Sequence, residues 1–240
     1  MGLVESLVKK MSRKAVVVHK QLIADHTYRI SMELQESEKM PYSPGEFLRV
    51  FVGEDQPVKM SEMIRTYSVW NYDAQSRIVD IAACTFSSGS GARWAKQVKV
   101  GDPVHFAGPK GKFVSDDSGD YCILIGDISA LAHLYELNRH IPASKKVFSI
   151  VYAEKEQSFF PDLDGVTKLS FRALPSNPVQ ALIEQIEDIT KQMPGRGMVY
   201  VGGDGRVCVE LHNYFKKTLQ WDRGQIKVKP FWMPGKTGLE

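Results

Sequence analysis

The sequence predicts two domains, an all-β barrel followed by an α/β domain built on a parallel sheet. Its 240 residues, 43% hydrophobic and 25% charged, exceed one average domain and are typical of a folded chain. The first half consists of short segments rich in β-branched and aromatic residues, whereas the second half alternates strand-like and helical segments. The change falls in the polar stretch 116–120. The predicted domains are therefore residues 13–117 and 120–240.

Six strands are predicted in the first half, because each is a short β-prone segment between turn formers such as Pro44-Gly45 and Gly53. Strands at this spacing favour a closed barrel over an open sheet, since closure removes exposed edges. The predicted strands are Lys14–His19, Tyr28–Leu34, Phe47–Val52, Arg65–Asn71, Ile78–Cys84 and Val104–Ala107.

The second half begins with Tyr121–Ile125, a continuous apolar run typical of a parallel strand buried on both faces. An amphipathic helix over Val179–Gln192 has an apolar face formed by Leu182, Ile183, Ile186 and Ile189. This alternation of strands and helices predicts a Rossmann-like, doubly wound domain. The other predicted elements are helices over Ala130–Arg139 and Val207–Leu219 and strands over Val147–Tyr152, Lys168–Arg172, Met198–Val201 and Ile226–Phe231.

Composition and motif content argue against several classes of protein. A net charge of +3 is too mild to favour nucleic-acid binding. No apolar run approaches the ~18 residues of a membrane span and no secretory signal is recognisable, so we expect a cytoplasmic protein without a membrane partner. The three cysteines and six histidines form no C-x-x-C or H-E-x-x-H motif, so neither a metal site nor a disulfide framework is expected. No G-x-S-x-G motif supports a serine hydrolase.

Three segments form a combination that is more specific than any one of them alone. Arg65–Ser68 (RTYS) begins a predicted strand, Ser88–Ala95 is a glycine/serine turn leading into a short helix, and Gly108–Phe113 contains a G-P-x-G turn. An arginine guanidinium makes bidentate contacts with phosphate. A helix start with small residues lets backbone N–H groups reach an anion. The RTYS segment alone is equally compatible with an exposed arginine beside a packed tyrosine.

This order of motifs resembles the FAD-binding barrel of the ferredoxin-reductase-like superfamily. The resemblance implies FAD as cofactor, with Arg65 on the pyrophosphate, Tyr67 against the isoalloxazine ring and the Ser68 hydroxyl near that ring. Ala92 stands where many members carry serine, so one phosphate contact would be missing. The first-domain residues that the resemblance assigns to the FAD site are Arg65, Thr66, Tyr67, Ser68, Cys84, Gly89, Gly91, Ala92 and Trp94.

Within that superfamily the chain resembles the siderophore-interacting protein family from about residue 13 to residue 238. This family implies a monomeric, FAD-dependent reductase that passes electrons from NADH or NADPH, or from a ferredoxin, to Fe(III) held by a siderophore. The matching segments are RTYSVW (65–70), GARWA (91–95), VGDPVHFAGPKG (100–111), LIGDISAL (124–131), VGGDGRVCVELHNYF (201–215) and KPFWMPGKTG (229–238).

The resemblance extends the expected sites into the second half. Asp127, Ser129 and Trp232 are expected at the FAD, with Ser129 where the family usually has threonine. Basic side chains near the flavin would hold the anionic ferric chelate. The candidates are Lys236 and Lys229, with Arg49 and Lys59 as weaker ones.

Alternatives stay open for both the site and the function. Asp127 is equally well explained as a helix cap after a strand, and Trp232 as a packed core aromatic. The sequence is also compatible with another NAD(P)H-dependent flavin oxidoreductase or electron-transfer flavoprotein of this fold, or with a non-enzymatic protein that holds FAD or a siderophore. In flavin-mediated electron transfer the cofactor supplies the chemistry, so no catalytic acid, base or nucleophile is assigned.

Overall fold

The computed structural model describes residues 12–35, 39–53 and 63–236. These residues form two compact units: those up to Lys112 belong to the first, and those from Phe113 onward belong to the second. Each unit has its own hydrophobic core, as expected of separately packed domains. Lys59, a weaker basic candidate, lies outside the described residues.

The first unit is a seven-stranded antiparallel sheet with the strand order β4-β3-β7-β1-β2-β6-β5. Its outermost strands, β4 and β5, are consecutive in the chain and are joined by just Val69 and Trp70, so the two edges of the sheet lie side by side. The sheet is therefore curled into a barrel, and the predicted all-β first domain is confirmed. The strands are β1 Arg13–Ala24, β2 Thr27–Leu34, β3 Phe47–Phe51, β4 Ile64–Ser68, β5 Asn71–Asp73, β6 Ile78–Cys84 and β7 Pro103–Lys110.

The barrel core is formed by side chains from alternate positions along the strands. Ile30 and Met32 of β2 and Ile81 of β6 are fully buried there. A short helix, α1 (Ser90–Gln97), packs on β2, β4 and β6. Its Ala95 is also fully buried. The core thereby fixes both β4 and α1, which contain residues of two of the three segments singled out in the sequence.

The predicted single strand Arg65–Asn71 is wrong, because the chain breaks it into β4 and β5. β4 pairs with β3, whereas β5 pairs with β6. The two residues between them are buried, and the Trp70 N–H donates to the carbonyl oxygen of Asp80 at 2.8 Å. A β-prone sequence does not reveal a change of pairing partner, so the pattern shows one strand where the barrel turns a corner.

The second unit is a five-stranded parallel sheet with the order β10-β9-β8-β11-β12. Its central strands, β8 and β11, are buried along their whole length, as expected where both faces are covered. The predicted Rossmann-like α/β domain is confirmed. The strands are β8 Tyr121–Asp127, β9 Lys146–Ala153, β10 Phe171–Ala173, β11 Gly197–Asp204 and β12 Ile226–Trp232; the helices are α2 Leu131–His140, α3 Val179–Gln192 and α4 Gly205–Asn213, with 3₁₀ turns at Glu156–Ser158 and Arg223–Gln225.

Two predicted elements of this unit differ in extent. The helix predicted over Val207–Leu219 is α-helical only to Asn213 and continues as a π-helical turn, Tyr214–Thr218, in which the Leu219 N–H reaches back to the Tyr214 carbonyl. The strand predicted over Lys168–Arg172 pairs with β9 only from Phe171 onward. Among the described helices, none combines the length and apolar character needed to cross a membrane.

Candidate functional site

Strand β4 brings the RTYS motif against the start of α1. The Tyr67 hydroxyl donates to the carbonyl oxygen of Gly91 at 3.1 Å, across 24 residues of sequence. The Tyr67 ring centre lies 5.5 Å from that of Trp94, with the ring planes 39° apart. Burial raises the pKa of Tyr67, and the neighbouring Arg65 charge opposes that rise. The hydroxyl therefore stays protonated at physiological pH and keeps donating to the helix.

Position 91 has no room for a side chain, so glycine is required there. A Cβ atom at this position would lie 2.9 Å from the Tyr67 hydroxyl oxygen and 3.0 Å from Arg65 Cγ, closer than the ~3.5 Å of ordinary packing. The adjacent Ala92 is also buried and small. Arg65, Tyr67 and the small residues 89–92 lie together where β4 meets the start of α1, and we call this group the β4–α1 cradle.

The cradle fits an anion. Gly89 precedes α1 in an extended conformation and supplies no side-chain cap, and the first turn of the helix contains no acidic residue. The first N–H groups of a helix have no acceptor within it, and they form the positive end of the helix dipole. With the positive charge of Arg65 on the neighbouring strand, these groups fit the phosphates of a dinucleotide such as FAD.

The other predicted first-domain residues outside the cradle lie on the opposite face of β4 and at the end of β6. Thr66 and Ser68 alternate with Arg65 and Tyr67 along the strand, so they share the opposite face. Thr66 pairs directly with Arg49 of β3, so this basic candidate belongs to the Thr66 face. Cys84 ends β6 and adds to the rise in the Tyr67 pKa, which puts its thiol near the tyrosine.

In the second unit, Asp127 joins the carboxyl ends of three parallel strands. This buried carboxylate ends β8 and accepts hydrogen bonds from the Ser129 N–H and hydroxyl on Oδ1. Its Oδ2 accepts from the Asp204 N–H of β11 and from Trp232 Nε1 of β12, both at 2.8 Å. Burial raises the pKa of Asp127, and the hydrogen bonds oppose that rise. Asp127, Ser129 and Trp232, the three second-half residues that the resemblance assigns to the FAD, are thus in contact with one another.

The alternative interpretation of Asp127 as the cap of α2 is wrong about the N-cap residue, which is Ala130, but Asp127 does accept the Ser129 N–H in the turn between strand and helix. The alternative for Trp232 as a core aromatic is also incomplete, because its ring is half-buried and its N–H is bound to Asp127. Gly203 makes this junction possible. Its φ of +109° is a left-handed conformation, and a Cβ there would lie 2.6 Å from the Asp127 carboxylate.

The basic candidates are spread over both units. Arg49 lies on β3 of the first unit, half-buried. Lys229 is half-buried on β12 of the second unit and lies near His133, whose pKa its charge helps to lower. Lys236 is exposed just beyond β12. Within the described ranges, no three His, Cys, Asp or Glu side chains group as a metal site would need.

Asp204 was missed by the sequence reasoning. It is the N-cap of α4: its carboxylate accepts from the Arg206 N–H at 2.9 Å and pairs with the Arg206 guanidinium at 2.6 Å. Its own N–H completes the Asp127 junction. An aspartate just before an apolar-periodic run is the usual signal of a helix start, and Asp204 stands in that position before α4.

Two family models match the two halves of the chain. Residues 11–113 match the model described as the siderophore-interacting FAD-binding domain, and residues 119–235 match the model described as siderophore-interacting protein. Together they span both described units.

Curated relatives and solved structures agree with these matches. Ferric vibriobactin reductase ViuB of Vibrio cholerae serotype O1 is 23% identical over 203 residues, covering 82% of this chain and 72% of that protein. An NADPH-dependent ferric-chelate reductase of Escherichia coli K12 is 24% identical over 167 residues, covering 67% of this chain and 63% of that protein. The crystal structure of a siderophore utilization protein from T. fusca shares the fold, with a TM-score of 0.80, 19% identity and 95% coverage of both chains.

Proposed function

This chain belongs to the siderophore-interacting protein family and is an oxidoreductase with an FAD-binding domain, and from that premise we propose that it reduces Fe(III) held by a siderophore. The observation that supports this most directly is the β4–α1 cradle, which combines a guanidinium with the N-terminal N–H donors of a helix that has no side-chain cap and no acidic residue in its first turn. The printed names of the two curated relatives, a ferric vibriobactin reductase and a ferric-chelate reductase, support the class of substrate.

Two sets of donors in the β4–α1 cradle bind the phosphates of FAD in this proposal. Arg65 holds the pyrophosphate of FAD through charge-assisted hydrogen bonds, which a guanidinium can make in pairs. The first-turn N–H groups of α1, which lie beside Gly89 and Gly91, donate to the same phosphates. When bound, FAD would accept two electrons from a donor and pass them one at a time to one-electron acceptors.

Tyr67 fixes the flavin end of the site. Its hydroxyl is held by the Gly91 carbonyl and its ring is held against Trp94, so the aromatic face is preorganised before the cofactor arrives. Because its pKa is raised, the residue contributes a neutral ring and adds no negative charge beside an anionic cofactor. Thr66, Ser68 and Cys84 complete the proposed first-domain site.

The proposed substrate is an anionic ferric chelate. Fe(III) is a hard cation gripped by oxygen ligands, and adding one electron gives Fe(II), which those ligands hold less strongly. No proton has to be moved by a side chain, so the protein's task is to hold the chelate by charge. We assign that task to Lys236 and Lys229 first and to Arg49 second, because ammonium and guanidinium groups attract the chelate's negative charge.

We also propose that the electron donor is NADH or NADPH, or a ferredoxin. We propose in addition that the protein is cytoplasmic and monomeric. The name of the Escherichia coli relative supports NADPH. Open α/β sheets bind ligands at the carboxyl ends of their strands where the strand order reverses. Here the reversal lies between β8 and β11, beside Asp127 and Ser129. In this proposal the Asp127 carboxylate holds the Trp232 indole in place at that edge.

The experiment is an anaerobic mixing test on the purified full chain loaded with FAD. The protein is reduced with dithionite, freed of excess reagent, and mixed with a ferric siderophore in the presence of a ferrous-specific dye. We expect the oxidised-flavin absorbance bands to return as the ferrous complex forms. A protein of this fold that serves another acceptor would keep its bands bleached with the chelate. A chain that takes up no FAD would contradict the proposal altogether.

A further inference from the structure

Lys20 binds the end of α1 opposite to the β4–α1 cradle. It lies on β1, and its Nζ donates to the carbonyl oxygens of Lys96 at 2.8 Å and of Val98 at 2.7 Å. The same ammonium group stands 4.8 Å from the centre of the Tyr28 ring, within cation–π range. Lys20 is therefore held on three sides, by two helix-terminal carbonyls and one aromatic face.

These carbonyls are the groups that a helix cannot satisfy internally. The last four carbonyl groups of a helix lack N–H partners within it, and they form the negative end of its dipole. α1 has only eight residues, a length at which a helix depends on its tertiary contacts. A cation at its C-terminus stabilises the dipole and fixes the axis of the helix.

The segment after α1 is anchored to the same strand. The Val17 N–H donates to the Asp102 carbonyl at 3.0 Å, and the Gly101 N–H donates to the Val17 carbonyl at 2.8 Å. At the other end, Tyr67 holds Gly91. Strand β1 thus fixes the C-terminal end of α1, and strand β4 fixes the N-terminal end.

We infer that Lys20 is a positioning residue for phosphate binding in the β4–α1 cradle. By anchoring the C-terminal carbonyls of α1, it keeps the first-turn N–H groups aimed at the phosphates of FAD. The inference rests on the proposed function, and Lys20 acts through the helix, since its ammonium group is bonded at the far end.

The test compares two flavins that differ in their phosphates. FAD and riboflavin, which has none, are titrated into the full chain freed of flavin, and flavin fluorescence gives each Kd. Lys20→Met keeps the aliphatic stem but removes the charge and the donors. Lys20→Arg keeps both. Lys14→Met is the matched control, at an exposed position on the same strand.

We expect Lys20→Met to raise the Kd for FAD by about three- to tenfold and to leave the Kd for riboflavin unchanged. Lys20→Arg should stay within about twofold of wild type, because a guanidinium also donates to carbonyls. Lys14→Met should match wild type. If Lys20→Met does not fold, Lys20→Gln, which keeps an N–H donor without the charge, takes its place with the same expected split.

An unchanged Kd for FAD in the Lys20 variant would overturn the inference. Equal losses for FAD and riboflavin would also overturn it, because they would indicate a general structural role. Failure of the proposed function has a different signature: the wild-type chain would bind no FAD, or would bind FAD no more tightly than riboflavin.

Discussion

Replacing Gly91 with alanine places a methyl group in the most crowded part of the β4–α1 cradle. The new Cβ would stand 2.9 Å from the Tyr67 hydroxyl oxygen and 3.0 Å from Arg65 Cγ. To restore ordinary contact, the two side chains must move by about 0.5 Å. Overpacking of this kind costs about 1–3 kcal/mol. If FAD needs both side chains where they now stand, that free energy is subtracted from binding, and the Kd rises about 5- to 150-fold.

Gly89 provides the matched control two residues earlier. A Cβ there would meet only the Ser87 hydroxyl, at 3.6 Å, which is ordinary contact, and the residue has φ −65°. Gly89→Ala should therefore bind FAD nearly as wild type does. Both variants are titrated with FAD after removal of bound flavin, with thermal unfolding measured in parallel. Equal affinities for the two variants would refute the claim that FAD binding needs Tyr67 and Arg65 in the positions that Gly91 allows.

Three further predictions concern single side chains. Arg65→Ala should weaken FAD binding by about 2–4 kcal/mol by removing charge-assisted phosphate contacts; full flavin retention through purification would show that the motif is wrongly assigned. Burial lowers the pKa of His133 to about 4. The free energy of unfolding should therefore fall by up to about 3 kcal/mol as the pH drops from 6.5 to about 4. Urea unfolding of His133→Phe should lack this pH dependence. Burial raises the pKa of Cys208 to about 12 and also raises that of Cys122. Only the half-buried Cys84 should therefore react with a thiol reagent in the native protein, and bound FAD should slow that reaction. Rapid modification of the Cys84→Ser variant would contradict this prediction.

The fold was predictable because its strands and helices have strong local patterns. Tyr121–Ile125 is apolar at every position and proves to be the centre of a parallel sheet. The Val69–Trp70 corner was not predictable, since both residues favour strands and the break is set by a change of pairing partner. Likewise, the π-helical turn at Tyr214–Thr218 leaves no mark in a pattern of apolar spacing.

The candidate site was predictable where it depends on motifs and was missed where it depends on tertiary contacts. Arg65, Tyr67 and Gly91 were expected at the cofactor because their motifs resemble those of the FAD-binding barrel, and the structure brings them together. Lys20 gives no signal in sequence, because its role depends on where β1 meets the end of α1, 76 residues away. The partners of Asp127 come from two other strand ends, which only the sheet order brings within reach.

The most direct test of the central claim is a count of electrons. The FAD-loaded chain, reduced anaerobically with dithionite and freed of excess reagent, is mixed with an excess of ferric siderophore and a ferrous-specific dye. We expect two ferrous ions to be trapped per FAD as the flavin bands return, because FAD stores two electrons and each Fe(III) takes one. Flavin that stays bleached, with no ferrous complex formed, would contradict the claim that this protein releases iron from siderophores.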